Sequence, residues 1–478
     1  MGYASFSSPP PKIVNYRVIS LVVSTSLFMQ YLDSTILITA LPTMAQDFGV
    51  DPIDMNVALL VYQLAMAVFI PVGSAIGNRF GAKPAFLVAL LPFIIGSVLC
   101  GFSSSLPALV ASRALQGLGG AMMIPVGRLI VVRSSAPSEL VSALNWLLIP
   151  GIIGPMLGPP LGGAIVTYGS WHGIFFINVP VGLLGLVLGY RLIPNIAGDR
   201  STPFDLRGLA LATPALAGLV FGLETVAHGD QLIRAAAILS VAGLFGFLYL
   251  RHARACEGPL IDISLLRITT FRMSMAIGSV LRYVAAAVGF LIPLWFQLAM
   301  HMSAAQSGAI TFAMPTAALM SRFLTSWLMR RLSMRTILLV TCLGCSLAAL
   351  GCAALRPNLP LPVFYLALGV LSVLTTVPMT LISAIAYVDI PKERIGAATG
   401  FYSTVQQMVL SLGVTGAVAA LSLGQGLTGG RATENAPYSV AFAILAVLGL
   451  GALVLVWRLS HDAGETLRQP NVGSARRR

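Results

Sequence analysis

Fourteen runs of apolar residues, each long enough to cross a bilayer, follow one another from Arg17 to Trp457 with short segments between them. About 20 such residues span the hydrocarbon core as a helix, the form that satisfies every backbone N–H and C=O within its own segment. The runs fall at 18–41, 56–77, 84–102, 106–128, 141–165, 173–192, 206–226, 233–250, 273–299, 306–329, 336–355, 361–388, 395–421 and 438–457. Charged residues make up 9% of the chain and apolar residues 57%, whereas a soluble domain carries about a quarter charged. No soluble domain of any size fits, and the chain reads as an all-α polytopic membrane protein. The amino terminus, "MGYASFSSPPPK", is polar and proline-rich, and the first apolar run has no small-residue cleavage site, so it reads as an uncleaved span and not a signal peptide.

The net charge of +13 would suit a nucleic-acid partner, but its distribution decides otherwise. With the amino terminus in the cytoplasm, 23 of the 29 basic residues fall on cytoplasmic segments, among them Lys12, Arg200, Lys392 and Arg476 to Arg478. The opposite side keeps Arg356 and Arg431, with Arg234 at a span's outer end. The positive-inside rule then places both termini in the cytoplasm, and no nucleic acid is required. The five cysteines lie in apolar runs except Cys256, and the CxxC of Cys342 and Cys345 reads as small packing residues within a span.

The loop after the second span, "GNRFGAKPAF", aligns with "MRRLSMRTIL" after the tenth, matching Arg79 with Arg331, Gly81 with Ser333 and Lys83 with Arg335. Each lies between the second and third spans of a six-span set. The expected organisation is a cytoplasmic tail (1–17), a six-helix bundle (18–192), a linker (193–205), an inserted two-helix pair (206–250), a linker (251–272), a second six-helix bundle (273–457) and a basic cytoplasmic tail (458–478). Parallel six-span halves about a central site are a transporter architecture, working by alternating access.

An ionised group in hydrocarbon costs at least ~2.5–3.5 kcal/mol and is a functional candidate by default. Asp33, Arg113 and Arg282 sit deep in their spans, and Arg322 is near enough to an end to snorkel. At about 1.5 Å per residue, Asp33 and Arg113 lie at matching depth, roughly 10–12 Å from the outer ends of spans 1 and 4. They are expected to meet in a wet crevice between the halves, where burial and a guanidinium push a carboxyl's proton affinity in opposite directions. Such a group can load a proton on one side and release it on the other; a fixed ion pair that only positions the two spans is the alternative. Arg282 has no acid at its depth and is expected to meet backbone carbonyls and water, or an anionic part of a substrate. The interior is thus net positive, which disfavours dications and suits neutral, amphipathic or anion-bearing solutes.

Nine of the fourteen residues of "PGIIGPMLGPPLGG" (150–163) are glycine or proline, although glycine costs about 1 and proline about 3 kcal/mol in a helix interior. Gly151, Gly154, Gly158 and Gly162 recur by three, four and four, leaving one helix face nearly without side chains, against which a neighbour can pack closely. Pro155, Pro159 and Pro160 remove donors and bend the helix, with Gly163 at its end. The stretch reads as a contact surface built for movement. Candidate substrate-cavity residues are Gln30, Tyr31, Tyr62, Gln63, Gln116, Arg282, Trp295, Gln297, Gln406 and Gln407.

A membrane-embedded enzyme would need a nucleophile with its base, or metal ligands. There is no HExxH, serine elbow or histidine pair, and His172, His228, His301, His252 and His461 fall singly, most as solvated loop residues. "GQGLTGG" (424–430) contains GxGxxG but follows no strand. No metal, cofactor or catalytic residue is expected. A sensor would need an output domain, and the tail after Trp457 is too short and polar for one.

Several motifs together resemble the major facilitator superfamily, in its fourteen-helix drug:proton antiporter branch and there the MdtD type. They are "LDSTILITALP" (32–42), "GNRFGAK" (77–83), "RALQGLGGAMMIPVGR" (113–128), "GIIGPMLGPPLGG" (151–163), "SWHGIFFINVPVG" (170–182), "PLIDISLLR" (259–267), Arg282 within "SVLRYVAAAVGFLIPLWFQ" and "TVQQMVLSLGV" (404–414). The resemblance implies a monomeric inner-membrane secondary transporter that exports lipophilic or amphipathic small molecules in exchange for protons, with the proton gradient in place of a cofactor. Uniport or import is the alternative within that class. It implies a proton-coupling role for Asp33 and Arg113, a leak-limiting hinge at the glycines and prolines of span 5, and cytoplasmic gating by Asn78, Arg79, Gly81 and Lys83. Asn78 stands where the loop motif has an aspartate, Ile38 where the span 1 motif has an asparagine, and Gly173 where the span 6 signature has a large residue. Restoring the charge with Asn78→Asp is expected to favour the state closed on the cytoplasmic side.

Overall fold

Long apolar helices account for nearly all of the computed structural model, which describes residues 15–135, 139–195, 198, 205–227, 231–256, 258–356, 359–391 and 394–459. The expected tails up to residue 14 and from residue 460, with Lys12, Arg200, His228, Lys392 and His461, lie outside the described residues. The helices are α1 (Tyr16–Phe48), α2 (Asn56–Phe80), α3 (Ala82–Gly101), α4 (Leu106–Ser134), α5 (Leu140–Tyr168), α6 (Gly173–Phe176), α7 (Asn178–Leu192), α8 (Leu206–Ala227), α9 (Leu232–Ala255), α10 (Thr269–Leu294), α11 (Ala304–Thr311), α12 (Ala313–Arg331), α13 (Met334–Ala353), α14 (Leu361–Ile385), α15 (Ile395–Thr428) and α16 (Asn435–Trp457).

Among the described residues, thirteen helices are long and apolar enough to cross a membrane, in a multi-pass protein. The segment expected to be a span at 306–329 is instead two consecutive helices, α11 and α12, meeting at Phe312. Pro315 cannot donate to the carbonyl of Thr311, which opens the ladder there. Arg322, Arg330 and Arg331 make α12 the most polar of the long helices. Helix α10 passes Pro293 and ends in a π-turn at Trp295–Ala299.

Local chemistry sets the helix ends. Gly49, in the left-handed region at φ 66°, closes α1 by donating to the carbonyls of Ala45 and Gln46. Ser303 and Gln306 form a reciprocal capping box on α11. The segment read as a loop after the second span is a single residue: Gly81, at φ 99°, separates α2 from α3. Asn78 and Arg79 are therefore on α2 and Lys83 is on α3. Leu332 and Ser333 separate α12 from α13 at the corresponding place, with the Ser333 side chain capping α13 by accepting from the Thr336 N–H.

Helix α1 packs on α4, α5 and α7, and α4 on α2 and α3; α10 packs on α14, α15 and α16, and α13 on α14 and α16. Helices α8 and α9 pack mainly on each other, and α8 also touches α2 and α15. An Asn56 Nδ2 to Glu224 Oε1 hydrogen bond of 2.6 Å ties α8 to the start of α2.

The end of the bundle where α1 begins is called the near end, and the opposite one the far end. One continuous apolar core fills the far end, drawing together Leu37, Leu41, Trp171, Phe175, Leu291, Phe296, Phe364, Leu421 and Phe442 from both helix sets. Toward the near end the cores separate: one holds α1–α5 residues such as Phe86, Phe93 and Val126, and others hold α10 and α13–α16 residues such as Ile277, Leu338 and Leu381. The sets are thus welded at the far end and parted at the near end.

Candidate functional site

Asp33 lies on the buried face of α1 with 1% of its surface exposed, and Arg113, wholly buried, reaches it from α4. Arg113 Nη1 donates to Asp33 Oδ2 at 2.5 Å. The other carboxylate oxygen accepts from Gln116 Nε2 at 2.8 Å and Asn178 Nδ2 at 2.9 Å. Gln116 stands one turn after Arg113 and accepts from its Nη1 at 2.7 Å, so the two side chains present one preorganised face to the acid. Ser97 on α3 accepts from Gln116 and Asn178 at 3.3 and 3.1 Å and donates to the carbonyl of Phe175 at 2.9 Å. The Arg113 guanidinium lies over the Tyr62 ring, 4.2 Å from its centroid. Helix α4 comes this close because Gly117 faces α2, where an added Cβ would lie 2.6 Å from the carbonyl oxygen of Tyr62.

A buried carboxylate persists only when its lone pairs are matched by donors, and a charge pair only when the geometry is good. Asp33 meets that condition. The assembly is a buried, multiply hydrogen-bonded ion pair whose acid can be released by moving α1, α4 or α7. Arg113 Nη2, Asn178 Oδ1 and Tyr62 Oη have no partner among the described residues, which leaves alternative hydrogen bonds to be made.

The site lies inside the first helix set and not in the crevice between the sets, because all of its groups come from α1–α4, α7 and the Phe175 carbonyl. Gln116 and Tyr62, read as cavity residues, belong to it. Ser97 and Asn178 were missed. Asn178 sits within "SWHGIFFINVPVG", and an amide buried at the start of an apolar helix was the available signal.

The glycine face of α5 packs along the α1 turns that carry Asp33. A Cβ at Gly151 would meet the Tyr31 ring at 3.4 Å, one at Gly154 the Phe28 carbonyl oxygen at 2.8 Å, one at Gly158 Thr35, and one at Gly162 the Ile36 carbonyl oxygen at 2.8 Å. The helix runs unbroken through Pro150, Pro155, Pro159 and Pro160. Its far-end turn meets the second helix set: Gly163 abuts the carbonyl of Ala304, and Gly308 abuts that of Pro159. Thr167 Oγ1 accepts from the Ala305 N–H at 3.0 Å in the same seam.

A cavity of about 390 Å³ opens at the near end between the sets. Arg128 of α4, Arg282 of α10, Ser383 of α14, Tyr387 in the turn after it and Thr399 and Gln406 of α15 line it. Of the expected cavity residues, Arg282 and Gln406 are found there. Gln30 and Gln407, from α1 and α15, both donate to Met66 Sδ of α2, at 3.1 and 3.4 Å, and Gln297 Nε2 donates to the Thr39 carbonyl at 3.0 Å. These bonds join elements at the interface and do not line the cavity. Gln63 is half-buried, with Oε1 unpartnered among the described residues. Tyr31 is exposed beside Gly151. Trp295 is 1% exposed, donates to Asn435 Oδ1 at 2.8 Å and packs on Phe296 and Phe442, so it is a core residue.

At the near end, Asn78 Oδ1 accepts from Arg133 Nη2 at 3.0 Å, joining α2 to α4, and the Lys83 ammonium lies 5.4 Å from the Tyr190 ring centroid. His252, read as a lone loop residue, pairs with Asp205 at 2.7 Å, and Cys256 lies within 4.8 Å of both. Burial alone would raise the Asp205 carboxyl. Hydrogen bonds from the Gly208 and Leu260 amides and from His252 outweigh it and hold the group below its ordinary range. The pair clamps the start of α8 to the end of α9.

The profile of the Major Facilitator Superfamily matches residues 23–414. HsrA of Haemophilus influenzae, provisionally named a transport protein, is 32% identical over 460 residues, covering 95% of this chain and 98% of that one. MdtD of Escherichia coli, provisionally named a multidrug resistance protein, is 33% identical over 407 residues, covering 84% and 85%. The crystal structure of the human organic anion transporter MFSD10 superposes with a TM-score of 0.62 at 16% identity, covering 94% of this chain and 100% of that one, which speaks for the fold alone. A POT family transporter bound to 5-aminolevulinic acid gives 0.69 at 15% identity, covering 97% and 98%. A matched profile over most of the chain and relatives matched almost end to end identify the chain as a member of the Major Facilitator Superfamily.

Proposed function

We propose that the protein is a proton-coupled secondary transporter that exports lipophilic or amphipathic small molecules by alternating access. The observation that carries this reading is the buried acid of α1, held by Arg113, Gln116 and Asn178 in the first helix set, while the cavity opens between the sets. The near end is read as cytoplasmic and both termini as lying there, since basic residues concentrate at that end. Counting α11 and α12 as one crossing gives fourteen spans, six and six about the pair α8 and α9. Energy comes from the proton gradient without a cofactor, one chain is the working unit, and the bacterial relatives support residence in an inner membrane. The provisional name of MdtD supports multidrug-type export.

In this reading the state described has a substrate-loading cavity facing the cytoplasm while Asp33 is ionised and paired with Arg113. Opening the far end parts α5 from α11 and shifts α1 along the glycine face. That motion strips donors from Asp33 and lets it take a proton from outside, and return to the inward state restores Arg113 to the carboxylate and expels the proton. Gly81, Asn78, Arg79 and Lys83 close the cytoplasmic end when the cavity faces out.

Inverted membrane vesicles carrying an imposed proton gradient test the scheme. Wild-type protein should let exported compounds collapse the gradient, and Asp33→Asn, present in the membrane in equal amount, should abolish that collapse. Accumulation against a gradient by the Asp33→Asn variant would sink the scheme, and substrate movement without proton flux in the wild type would favour uniport.

A further inference from the structure

Two guanidiniums, those of Arg128 and Arg282, line the near-end cavity, with no carboxylate among the described residues that line it. Arg282 stands about 20 Å along α10 from its near end, and Arg128 about 9 Å from the near end of α4. One therefore marks the cavity's depth and the other its mouth. No hydrogen bond or ion pair joins either to another described residue. A deep, half-buried guanidinium without an acceptor among the described residues is costly in a membrane protein and marks a place where a ligand's charge is wanted. The cavity wall carries the hydroxyls of Ser383, Tyr387 and Thr399, and Arg282 also borders a small second pocket lined by Met275 and Val405. The volume of about 390 Å³ lies in the range that holds a small organic molecule.

Building on the export reading, we propose that the transported class is amphipathic organic anions, whose carboxylate, sulfonate or phosphate is bound by Arg282 after capture by Arg128. A guanidinium offers paired N–H donors to such groups. A cation in the same cavity would meet two like charges and, among the described lining residues, no carboxylate to offset them. Asp33, the acid that would attract one, is sealed inside the first helix set and not exposed to the cavity. The anion also gives the cycle a means of coupling: an occupied Arg282 carries no net charge, so the loaded cavity can close without burying an unpaired cation.

The test is equilibrium binding to the full-length protein in phosphatidylcholine vesicles without a proton gradient. The probes are fluorescein, an organic anion at neutral pH, and rhodamine 123, a cation on the same ring system. Wild type should bind fluorescein in preference, Arg282→Gln should weaken that binding by about tenfold or more, and Arg282→Lys should fall between. Arg128→Gln should slow fluorescein association more than it changes release. Rhodamine 123 binding should not weaken in Arg282→Gln, which also shows that the variant is folded. Equal fluorescein affinity in wild type and Arg282→Gln, or a preference for rhodamine 123, overturns the proposal. So does loss of the Arg282-dependent binding when phosphatidylglycerol is added, because a lipid phosphate is then the occupant. Proton-coupled export of rhodamine 123 without fluorescein binding refutes the anion class and leaves the export reading standing. Fluorescein binding without any proton-coupled movement does the reverse.

Discussion

Asn178 supplies one of the three side chains that hold the Asp33 carboxylate, and it alone comes from α7. A hydrogen bond to a charged group contributes about 1.5–3 kcal/mol. Asn178→Leu should therefore slow proton-coupled transport by about 10- to 100-fold while leaving substrate binding in place, as read by gradient collapse and by equilibrium binding on the same preparation. An unchanged coupled rate would remove Asn178 from the scheme. Asn78 is a contrasting case. In the state described, open at the near end, its partner Arg133 belongs to the same helix set, so the shift toward closure expected of Asn78→Asp rests on contacts made in the closed state.

Helix α5 carries two kinds of close contact that a single methyl group can separate. Gly154 faces the Phe28 carbonyl and the Leu32 amide within one helix set, where the proposed motion slides α1 along the face without parting it from α5. Gly154→Ala should cost about 1–3 kcal/mol of stability through overpacking and lower the thermal midpoint in detergent. Gly163 faces Ala304 across the far-end seam, so Gly163→Ala should instead shift the population toward the state open at the far end. The readout is faster labelling of cysteines introduced beside α11 at little cost in thermal stability. Identical behaviour of the two variants would show that the seam is not a separate joint. The prolines of α5 remove hydrogen bonds without interrupting the helix, so the flexibility they add lies in weakened turns and not in a break.

For the molecule as a whole, the far end is one shared core and the near end is split into separate cores, one in the first helix set and two in the second, which describes a clamp closed at one side. Locking the closed side should stop transport. Thr167 and Ala305 meet directly in the seam, and replacing both by cysteine and oxidising the pair should abolish transport reversibly, with activity returning on reduction. Full transport by the oxidised pair would mean that the far end never opens. Helix α8 touches both sets through α2 and α15, so the inserted pair must slide on at least one of them during such a motion. The Asn56–Glu224 bond ties it to the first set at one end, and the Asp205–His252 clamp holds its two helices together at the other.

Hydrophobic runs, basic loops and the pairing of two similar six-span sets could be read from the chain itself, because bilayer thickness and backbone hydrogen bonding act on each segment locally. The depth match of Asp33 with Arg113 followed from helical rise alone, and so did the smooth face of α5. Which helix that face touches, the second and third donors to Asp33, and the placement of the acid within one set required tertiary contacts among α1, α3, α4, α5 and α7. Polar side chains looked alike in sequence: Gln116, Gln297, Gln406 and Trp295 share apolar surroundings, yet one serves the acid, one the seam, one the cavity and one the core. Helical periodicity fixes the face of a side chain only relative to its own axis. What that face meets depends on rotations between helices, which are settled by packing across the whole bundle.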